Sequence, residues 1–266
     1  MNQETRGKTI NSIPTEESGK PQNTVGERRW PRHLAVGLMG LLMVYLFWLS
    51  RMEWDSEMRT WRAVGDSAFM LLLVTMAIGP LGKIWPGRFS ALVNWRRAFG
   101  VWFAMFASVH AFLVWDGWAR WSIKGFLGYQ DLAIIGFAGK PILVDPGFGL
   151  SNLIGLVALF WGLVLFATSS DWAVNKLGTR AWKHIQSYAN LILYLVVLHA
   201  AYYLFLHYEL SLRNLFFQRG TPSPNWFRFW FLGLAVFIFI LQMGSYLVEL
   251  RRRKIKVGQP DEGGEA

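Results

Sequence analysis

The chain has 266 residues, of which 53% are hydrophobic and 16% aromatic, a composition too apolar for a typical water-soluble domain. It has no cysteine, which excludes disulfides, thiolate metal sites, iron–sulfur clusters and covalently attached c-type haem. Its formal net charge of +10 comes largely from basic residues at the ends of apolar runs, where they set membrane orientation and meet anionic lipid, so nucleic-acid binding is disfavoured.

Polar residues dominate both ends of the chain. Residues 1–32 contain little that could be buried in a core, so they are predicted to form a disordered tail. Residues 249–266 are basic and then acidic, and they are predicted to form a second tail. The membrane domain is therefore expected over residues 33–248.

Six apolar runs are long enough to cross a hydrocarbon core of about 30 Å, which takes roughly 20 helical residues. They are predicted at 33–50, 66–83, 97–115, 148–168, 186–207 and 226–248. The second run is expected to end at Gly79-Pro80-Leu81-Gly82, because proline and glycine interrupt helices. The predicted fold class is thus an all-α integral membrane protein with a bundle of six transmembrane helices.

Lysine and arginine predict the orientation of this bundle. They are more numerous beside the starts of the first, third and fifth runs than on the opposite side, and they follow the sixth run as Arg251-Arg252-Arg253-Lys254. Because loops rich in lysine and arginine stay in the cytoplasm, both termini are predicted to be cytoplasmic. The connection 116–147 is then on the outer side, where part of it is expected along the membrane interface or in a docking surface.

Two of the five histidines fall inside apolar runs. His110 lies 13 residues after Arg97 in the third run, and His199 lies 13 residues after Gln186 in the fifth. Each position is about 20 Å along its helix, so both imidazoles are expected at the same depth in the outer half of the bilayer. Two neutral imidazoles that face each other can provide both axial ligands of a haem iron.

Apolar and aromatic neighbours are expected to cover the porphyrin, namely Trp102, Phe106, Leu195 and Tyr202. The alternative for either histidine alone is a hydrogen bond between helices. The other histidines are expected at the membrane interface, namely His33, His184 and His207. A haem-free proton relay would need acidic side chains in the runs, and apart from Asp66 the runs contain none.

Several short motifs follow one another between residues 65 and 207. Arg96-Arg97-Ala98-Phe99-Gly100 precedes His110. The others are Gly79-Pro80-Leu81, Lys140-Pro141, Thr168-Ser169-Ser170, and Lys176-Leu177-Gly178 leading to Trp182. Taken in chain order, these motifs resemble the ferric-reductase-like transmembrane domain family. Within that family they resemble the haem-binding membrane subunits of periplasmic methionine-sulfoxide reductase systems.

The resemblance implies that His110 and His199 are the iron ligands of one haem b. Family members with two stacked haems carry a second histidine pair where this chain has Arg97 and Gln186, so an inner haem would lack its ligands. Many relatives of the subunit have a histidine at the position of Gln186. The resemblance implies that flavin mononucleotide (FMN) or quinone carries the electrons where an inner haem is missing, beside Arg96, Arg97 and Gln186. Arginine offers a fork of donors suited to phosphate or carbonyl oxygens, and the alternative is that the arginine pair only enforces topology.

The implied function is electron transfer across a bacterial inner membrane, by a subunit rather than by a self-contained enzyme. Electrons would arrive from a cytoplasmic flavin reductase or the quinol pool and leave to a periplasmic molybdopterin-dependent methionine-sulfoxide reductase. The chain has no glycine-rich nucleotide-binding motif, which disfavours a complete NADPH oxidase. Two alternatives stay open. One is a quinol-oxidising cytochrome b anchor of another respiratory complex or a metal reductase, and the other is a haem-free membrane scaffold.

Overall fold

The computed structural model describes residues 29–131, 141–207 and 225–257. The helices are α1 Arg29–Leu49, α2 Ser56–Ile84, α3 Pro86–Phe89, α4 Arg96–Leu113, α5 Ile123–Phe126, α6 Phe148–Ala167, α7 Asp171–Ser187, α8 Ala189–Ala201 and α9 Phe227–Val257. A 3-10 turn, Ser90–Trp95, precedes α4. Two π-helical segments continue α4 and α8, namely π1 Val114–Trp118 and π2 Tyr202–Leu206.

Six helical spans in the described part of the chain are long and apolar enough to cross a membrane. They are Trp30–Leu49, Ser56–Ile84, Pro86–Trp118, Phe148–Ala167, Asp171–Leu206 and Phe227–Lys254. The predicted fold class, an all-α membrane protein with six spanning helices, is confirmed. Many large apolar side chains on the outside of the bundle are exposed, as expected for a surface that faces lipid. The protein is therefore a multi-pass membrane protein, and its orientation stays a prediction.

Helix α2 is the central element of the bundle. It contacts α1, α4, α8 and α9, and it contributes Leu71, Leu72 and Met76 to the core. Helix α6 packs mainly against α8 and α4. This arrangement places α2 and α6 on opposite sides of the space between α4 and α8, where the candidate site lies.

Helix α2 begins earlier than the predicted start at residue 66. The Asp55 side chain caps it at Ser56 by accepting hydrogen bonds from the backbone N–H groups of Glu57 and Met58. Charged residues lower the hydropathy of these first turns, but the structure gives them partners. The guanidinium of Arg59, for example, lies 3.6 Å from the ring centre of Trp48.

The second span ends at Ile84, one residue after the predicted end at 83, but the expected break at Gly79 and Pro80 is wrong, because α2 continues through Pro80. A proline removes one backbone hydrogen bond, and membrane helices tolerate this loss where neighbouring elements pack against the affected turn. Here the Arg96 side chain lies beside Gly79, and Val93 lies beside Gly82. The turn after Pro80 is therefore supported from the start of α4.

The fifth span differs from the predicted helix 186–207. It consists of α7 and α8, which meet at Tyr188, and α7 is itself kinked at Gly178, where φ is 76°. Only a residue without Cβ adopts this left-handed conformation at little cost. The span therefore begins with an additional helix, most of whose side chains are exposed.

The ends of the bundle extend beyond the predicted domain limits of 33 and 248. Helix α1 begins at Arg29, and α9 continues to Val257. The basic cluster after residue 248 is thus partly helical, and Glu249 there accepts hydrogen bonds from Lys83 at 2.7 Å and Arg253 at 2.6 Å. Residues 1–28 and 258–266, where the tails were predicted, lie outside the described residues.

The connection 116–147 forms a small hairpin that the sequence did not reveal. Strand β1, Tyr129–Asp131, pairs antiparallel with β2, Pro141–Leu143. The apolar stretch 132–137, expected along the membrane interface, lies outside the described residues. The hairpin packs at the end of the bundle where α2 starts and π1 and π2 finish, which we call the histidine end.

Candidate functional site

A cavity of about 420 Å³ lies between α2, α4, α6 and α8 near the histidine end. Its walls are mostly apolar, and both His110 and His199 line it. The two imidazole rings have centroids 6.4 Å apart and planes inclined at 81°. The structure therefore brings together the two histidines that the sequence placed at one depth.

His110 is held by one turn of α2. Its Nδ1 lies 3.0 Å from the backbone carbonyl oxygen of Trp61. One turn further along α2, a Cβ on Gly65 would lie only 2.9 Å from Cε1 of the His110 ring. The absence of a side chain at Gly65 therefore lets the imidazole pack directly on the helix backbone.

His199 is held in the same manner by one turn of α6. Its Nδ1 lies 2.8 Å from the backbone carbonyl oxygen of Ser151. A Cβ on Gly155, one turn further along, would lie 2.8 Å from that same Nδ1. In addition, the Ser151 hydroxyl donates to the backbone carbonyl of His199 at 3.2 Å. Each imidazole thus packs against a backbone carbonyl and against a glycine four residues later in the same helix.

These contacts determine which nitrogen of each ring is available as a ligand. A carbonyl oxygen can only accept a hydrogen bond, so Nδ1 of each histidine carries the proton. Nε2 then keeps its lone pair, which is the form in which neutral imidazole binds a metal. Backbone carbonyls that orient metal-binding histidines in this way are common around metal sites.

The two histidines and the cavity fit a bis-imidazole haem. Two bonds of about 2 Å from a metal to nitrogen, extended to the ring centres, require a separation of about 6 Å, and the observed separation is 6.4 Å. Small residues, including Ala107, Ala111 and Ala200, line the cavity and leave room for a planar ligand. The described residues contain no cluster of three or more histidine, cysteine, aspartate or glutamate side chains that could hold a bare metal ion.

The aromatic residues expected to cover the ligand were chosen wrongly. The rings of Trp102 and Phe106 instead pack on Gly37 and Gly40 of α1. The Tyr202 hydroxyl donates to the carbonyl of Pro146 at 2.6 Å, away from the cavity. Leu195 does not line the cavity, and Phe103 of α4, Val196 of α8 and Tyr203 of π2 line it instead. Residue counting along the helices predicts the depth of each histidine but not the rotation of its helix.

An aromatic cluster closes the cavity at the histidine end. Trp118 at the end of π1 stacks on Phe148, with ring centroids 5.1 Å apart. His207, which follows π2, lies 5.8 Å from Trp118 and 5.4 Å from Phe148. The predicted interfacial position of His207 is wrong, because the side chain is buried within this cluster.

The remaining histidines lie away from the cavity. His33 on α1 contributes its backbone carbonyl, which accepts a hydrogen bond from Nε1 of Trp102 at 2.7 Å. His184 is exposed on α7, with its ring 5.6 Å from that of Tyr188. Neither side chain lines the cavity.

Sequence reasoning missed a set of charged residues beside the cavity. Arg62 and Asp66 of α2 both line it. Asp66 accepts a hydrogen bond from the buried Arg51 at 2.5 Å, and Arg51 also donates to Asn225 at 3.1 Å. The sequence shows Arg62 and Asp66 at the start of the second apolar run. Hydropathy alone assigns such charged residues to a loop.

The three other predicted site residues contact different neighbours. Arg97 forms an ion pair with Asp171 of α7 at 3.0 Å. Arg96 lies beside Gly79 of α2. The Gln186 amide donates to the Thr168 hydroxyl at 3.2 Å, at the end of α6. All three residues lie at the end of the bundle opposite to the histidine end, and the contacts seen for the described residues do not join them into one site.

Sequence comparisons relate part of the chain to curated proteins. No protein-family model matches the chain. The chain is 32% identical over 138 residues to the protein-methionine-sulfoxide reductase heme-binding subunit MsrQ of Bordetella pertussis, Bordetella parapertussis and Bordetella bronchiseptica. Each match covers 52% of this chain and 58% of the relative. The resemblance noted in the sequence is thus confirmed over about half of the chain, and the chain spans little more than half the length of these relatives.

Proposed function

We propose that this protein is a haem-binding membrane subunit that transfers electrons, with one haem b held by His110 and His199. The observation that carries the proposal is the pair of imidazoles in the apolar cavity, 6.4 Å apart and each fixed through Nδ1 by a backbone carbonyl. The name of the relatives, a heme-binding subunit of a methionine-sulfoxide reductase, supports the same conclusion.

The protein contributes binding, orientation and exclusion of water. His110 and His199 would hold the iron, while the cavity wall and the aromatic cluster at the histidine end keep water from it. Haem supplies one-electron redox chemistry, and its surroundings set its potential. Because the relatives are named as the heme-binding subunit of a reductase, we propose an electron-transfer subunit rather than a complete enzyme.

The test is a dithionite-reduced minus oxidised visible spectrum of the detergent-purified protein, with a pyridine haemochrome count. We expect about one b-type haem per chain in the wild type and its loss in His110→Ala and in His199→Ala, because one imidazole alone cannot form the bis-histidine complex. His184→Ala removes an exposed histidine away from the cavity and is the matched control, which should keep its haem.

Three outcomes would count against this site. A wild-type protein that stays free of haem when haem is supplied would remove the basis of the proposal. Two haems per chain would mean that a second ligand pair exists despite Arg97 and Gln186, and a spectrum unchanged in both alanine variants would assign the haem to other residues.

We further propose that the electron acceptor is a periplasmic molybdopterin-dependent methionine-sulfoxide reductase. The name of the relatives supports a methionine-sulfoxide reductase, and the periplasmic location and the molybdopterin are what the family resemblance in the sequence implies. The proposed location is the bacterial inner membrane, with both termini in the cytoplasm and the histidine end toward the periplasm. The test is stopped-flow reoxidation of the dithionite-reduced protein by a purified reductase of this class with methionine sulfoxide. Reoxidation that needs both the reductase and methionine sulfoxide supports this acceptor. If the haem is not reoxidised in their presence, the search should turn to quinol-linked partners.

Electron entry is proposed at the opposite end of the bundle, from a flavin reductase through FMN or from quinol. Arg97 is already paired with Asp171, so Arg96 is the better candidate for binding a phosphate or a quinone carbonyl. Titration with FMN, followed by quenching of its fluorescence, should show weaker binding in Arg96→Gln. Lys176 is an exposed cation on α7 and serves as the control, so Lys176→Gln should bind FMN as the wild type does.

A further inference from the structure

Arg62 is a cation in the wall of an otherwise apolar cavity. It follows Trp61, whose carbonyl holds His110, and it lines the cavity together with both histidines. Its guanidinium lies 5.3 Å from the ring centre of Tyr203, and Nη2 donates to the Tyr203 backbone carbonyl at 3.3 Å. Arg62 therefore reaches from α2 across to π2, at the level of the two imidazoles.

Arg62 is attracted by Asp66, but among the ion pairs of the described residues none joins Arg62 to an acid at contact distance. Its nearest acidic neighbour on α2, Asp66, lies one turn away and is engaged by Arg51 at 2.5 Å. A guanidinium has five N–H donors, and the contacts found among the described residues use only the one to Tyr203. A cation in apolar surroundings is costly unless an anion accompanies it.

The cavity is polar at one end only. Arg62 and Asp66 lie toward the histidine end, whereas Phe69, Phe103 and Phe231 line the wall deeper in the bundle. A ligand that fits this distribution is apolar over most of its surface and carries an anionic group on one edge. The planar fork of arginine matches the geometry of a carboxylate.

We propose that Arg62 binds a carboxylate of the ligand and so fixes which edge of the ligand faces the histidine end. This inference rests on the proposed haem site, since protohaem carries two propionate carboxylates on one edge and hydrocarbon groups on the other. His110 and His199 fix only the axis through the iron, about which a planar ring can still rotate. Arg62 stops this rotation and is a positioning residue.

The test compares the affinities of the apoprotein in detergent for protohaem and for its dimethyl ester, which lacks both carboxylate charges. The wild type should prefer protohaem by about tenfold or more, because a hydrogen-bonded charge pair in apolar surroundings is worth at least that factor. Arg62→Gln should bind the two forms with similar affinity. Arg62→Met serves the same purpose if the glutamine variant does not give a monodisperse protein.

Arg59→Gln is the matched control, because Arg59 lies one turn earlier on α2 but faces Trp48 of α1 rather than the cavity. It should keep the wild-type preference for protohaem. Equal binding of the two forms by the wild type, or a full preference in Arg62→Gln, would overturn the inference while leaving the haem site standing. A wild type that binds neither form would instead refute the haem proposal itself.

Discussion

The two histidines are held by two different helices in closely similar ways. His110 rests on α2 and His199 on α6, and each contacts a carbonyl oxygen and a glycine four residues later. Each histidine is followed within four residues by a π-helical segment. The common features concern the backbone, and they provide the close approach and the fixed Nδ1 proton that an axial ligand needs.

The surroundings of the two histidines differ in charge. The turn of α2 under His110 lies next to Arg62 and to the buried pair of Arg51 with Asp66. The turn of α6 under His199 has neutral partners, because Asn152 accepts from the Tyr203 hydroxyl and donates to the carbonyl of Phe126. The ligand-holding geometry is thus duplicated, whereas the two charged residues that line the cavity, Arg62 and Asp66, both come from α2.

Adding a methyl group under either imidazole should have the largest effect on haem affinity. Gly65→Ala and Gly155→Ala each place a Cβ within 2.9 Å of a ring atom, and overpacking of this kind costs about 1–3 kcal/mol. We expect haem affinity to fall by about tenfold or more in both variants, as measured by titration of the apoprotein.

Gly233→Ala is the control for this comparison, because nothing lies within 4 Å of a Cβ at that position of α9. Alanine should slightly stabilise the helix there and leave haem affinity unchanged. A loss in only one of the two site variants would show that the two histidines are not held equivalently after all.

Breaking the buried pair of Arg51 with Asp66 should lower the stability of the whole protein. Asp66→Asn leaves Arg51 without its anion, and such a loss costs about 3–5 kcal/mol for a fully buried pair. We expect a clearly lower midpoint of thermal unfolding in detergent. Glu57→Gln instead breaks the exposed ion pair with Arg120, which should cost less than about 1 kcal/mol. Equal effects of the two changes would show that the buried pair stabilises the protein no more than the exposed pair does.

Removing the Ser151 hydroxyl should have the smallest effect. Ser151→Ala deletes the hydrogen bond to the His199 carbonyl but keeps the backbone carbonyl that accepts from Nδ1. A neutral hydrogen bond contributes about 1 kcal/mol, so the haem should stay bound with at most a few-fold weaker affinity. Complete loss of haem would show that the hydroxyl, rather than the backbone, holds His199.

The six spans and the common depth of the histidines could be predicted because they depend on quantities that a sequence carries directly. Hydropathy locates the spans, and counting residues along helices of known rise gives the depth. The start of α2 was missed, since hydropathy treats Arg59 as a loop residue although its charge is covered by Trp48. The helix break predicted at Pro80 is absent, because the hydrogen bond that proline removes is tolerated within a packed bundle.

Features that depend on helix rotation and packing could not be predicted. Trp102 and Phe106 are as apolar as Phe103, and only the assembled bundle shows that they face α1 rather than the cavity. Gly65 and Gly155 carry no chemical signal of their own, although a glycine in an apolar span does indicate a close approach. The partners of both imidazoles are main-chain atoms, which no side-chain motif reports.

The π segments have a consequence for how the site tolerates insertions and deletions. An α-helix turns by 100° per residue, so Trp118 and His207, each eight residues after its histidine, would lie about 80° around the helix from it. A π segment accommodates one extra residue and so reduces the rotation around the helix axis by about 100°. Both side chains therefore point to the face of the cavity. Each segment therefore acts as a one-residue insertion tolerated in place. Deleting one residue from a segment would restore a regular α-helix, in which Trp118 or His207, then seven residues after its histidine, still faces the cavity, whereas a further insertion would turn that side chain away while leaving His110 and His199 in position.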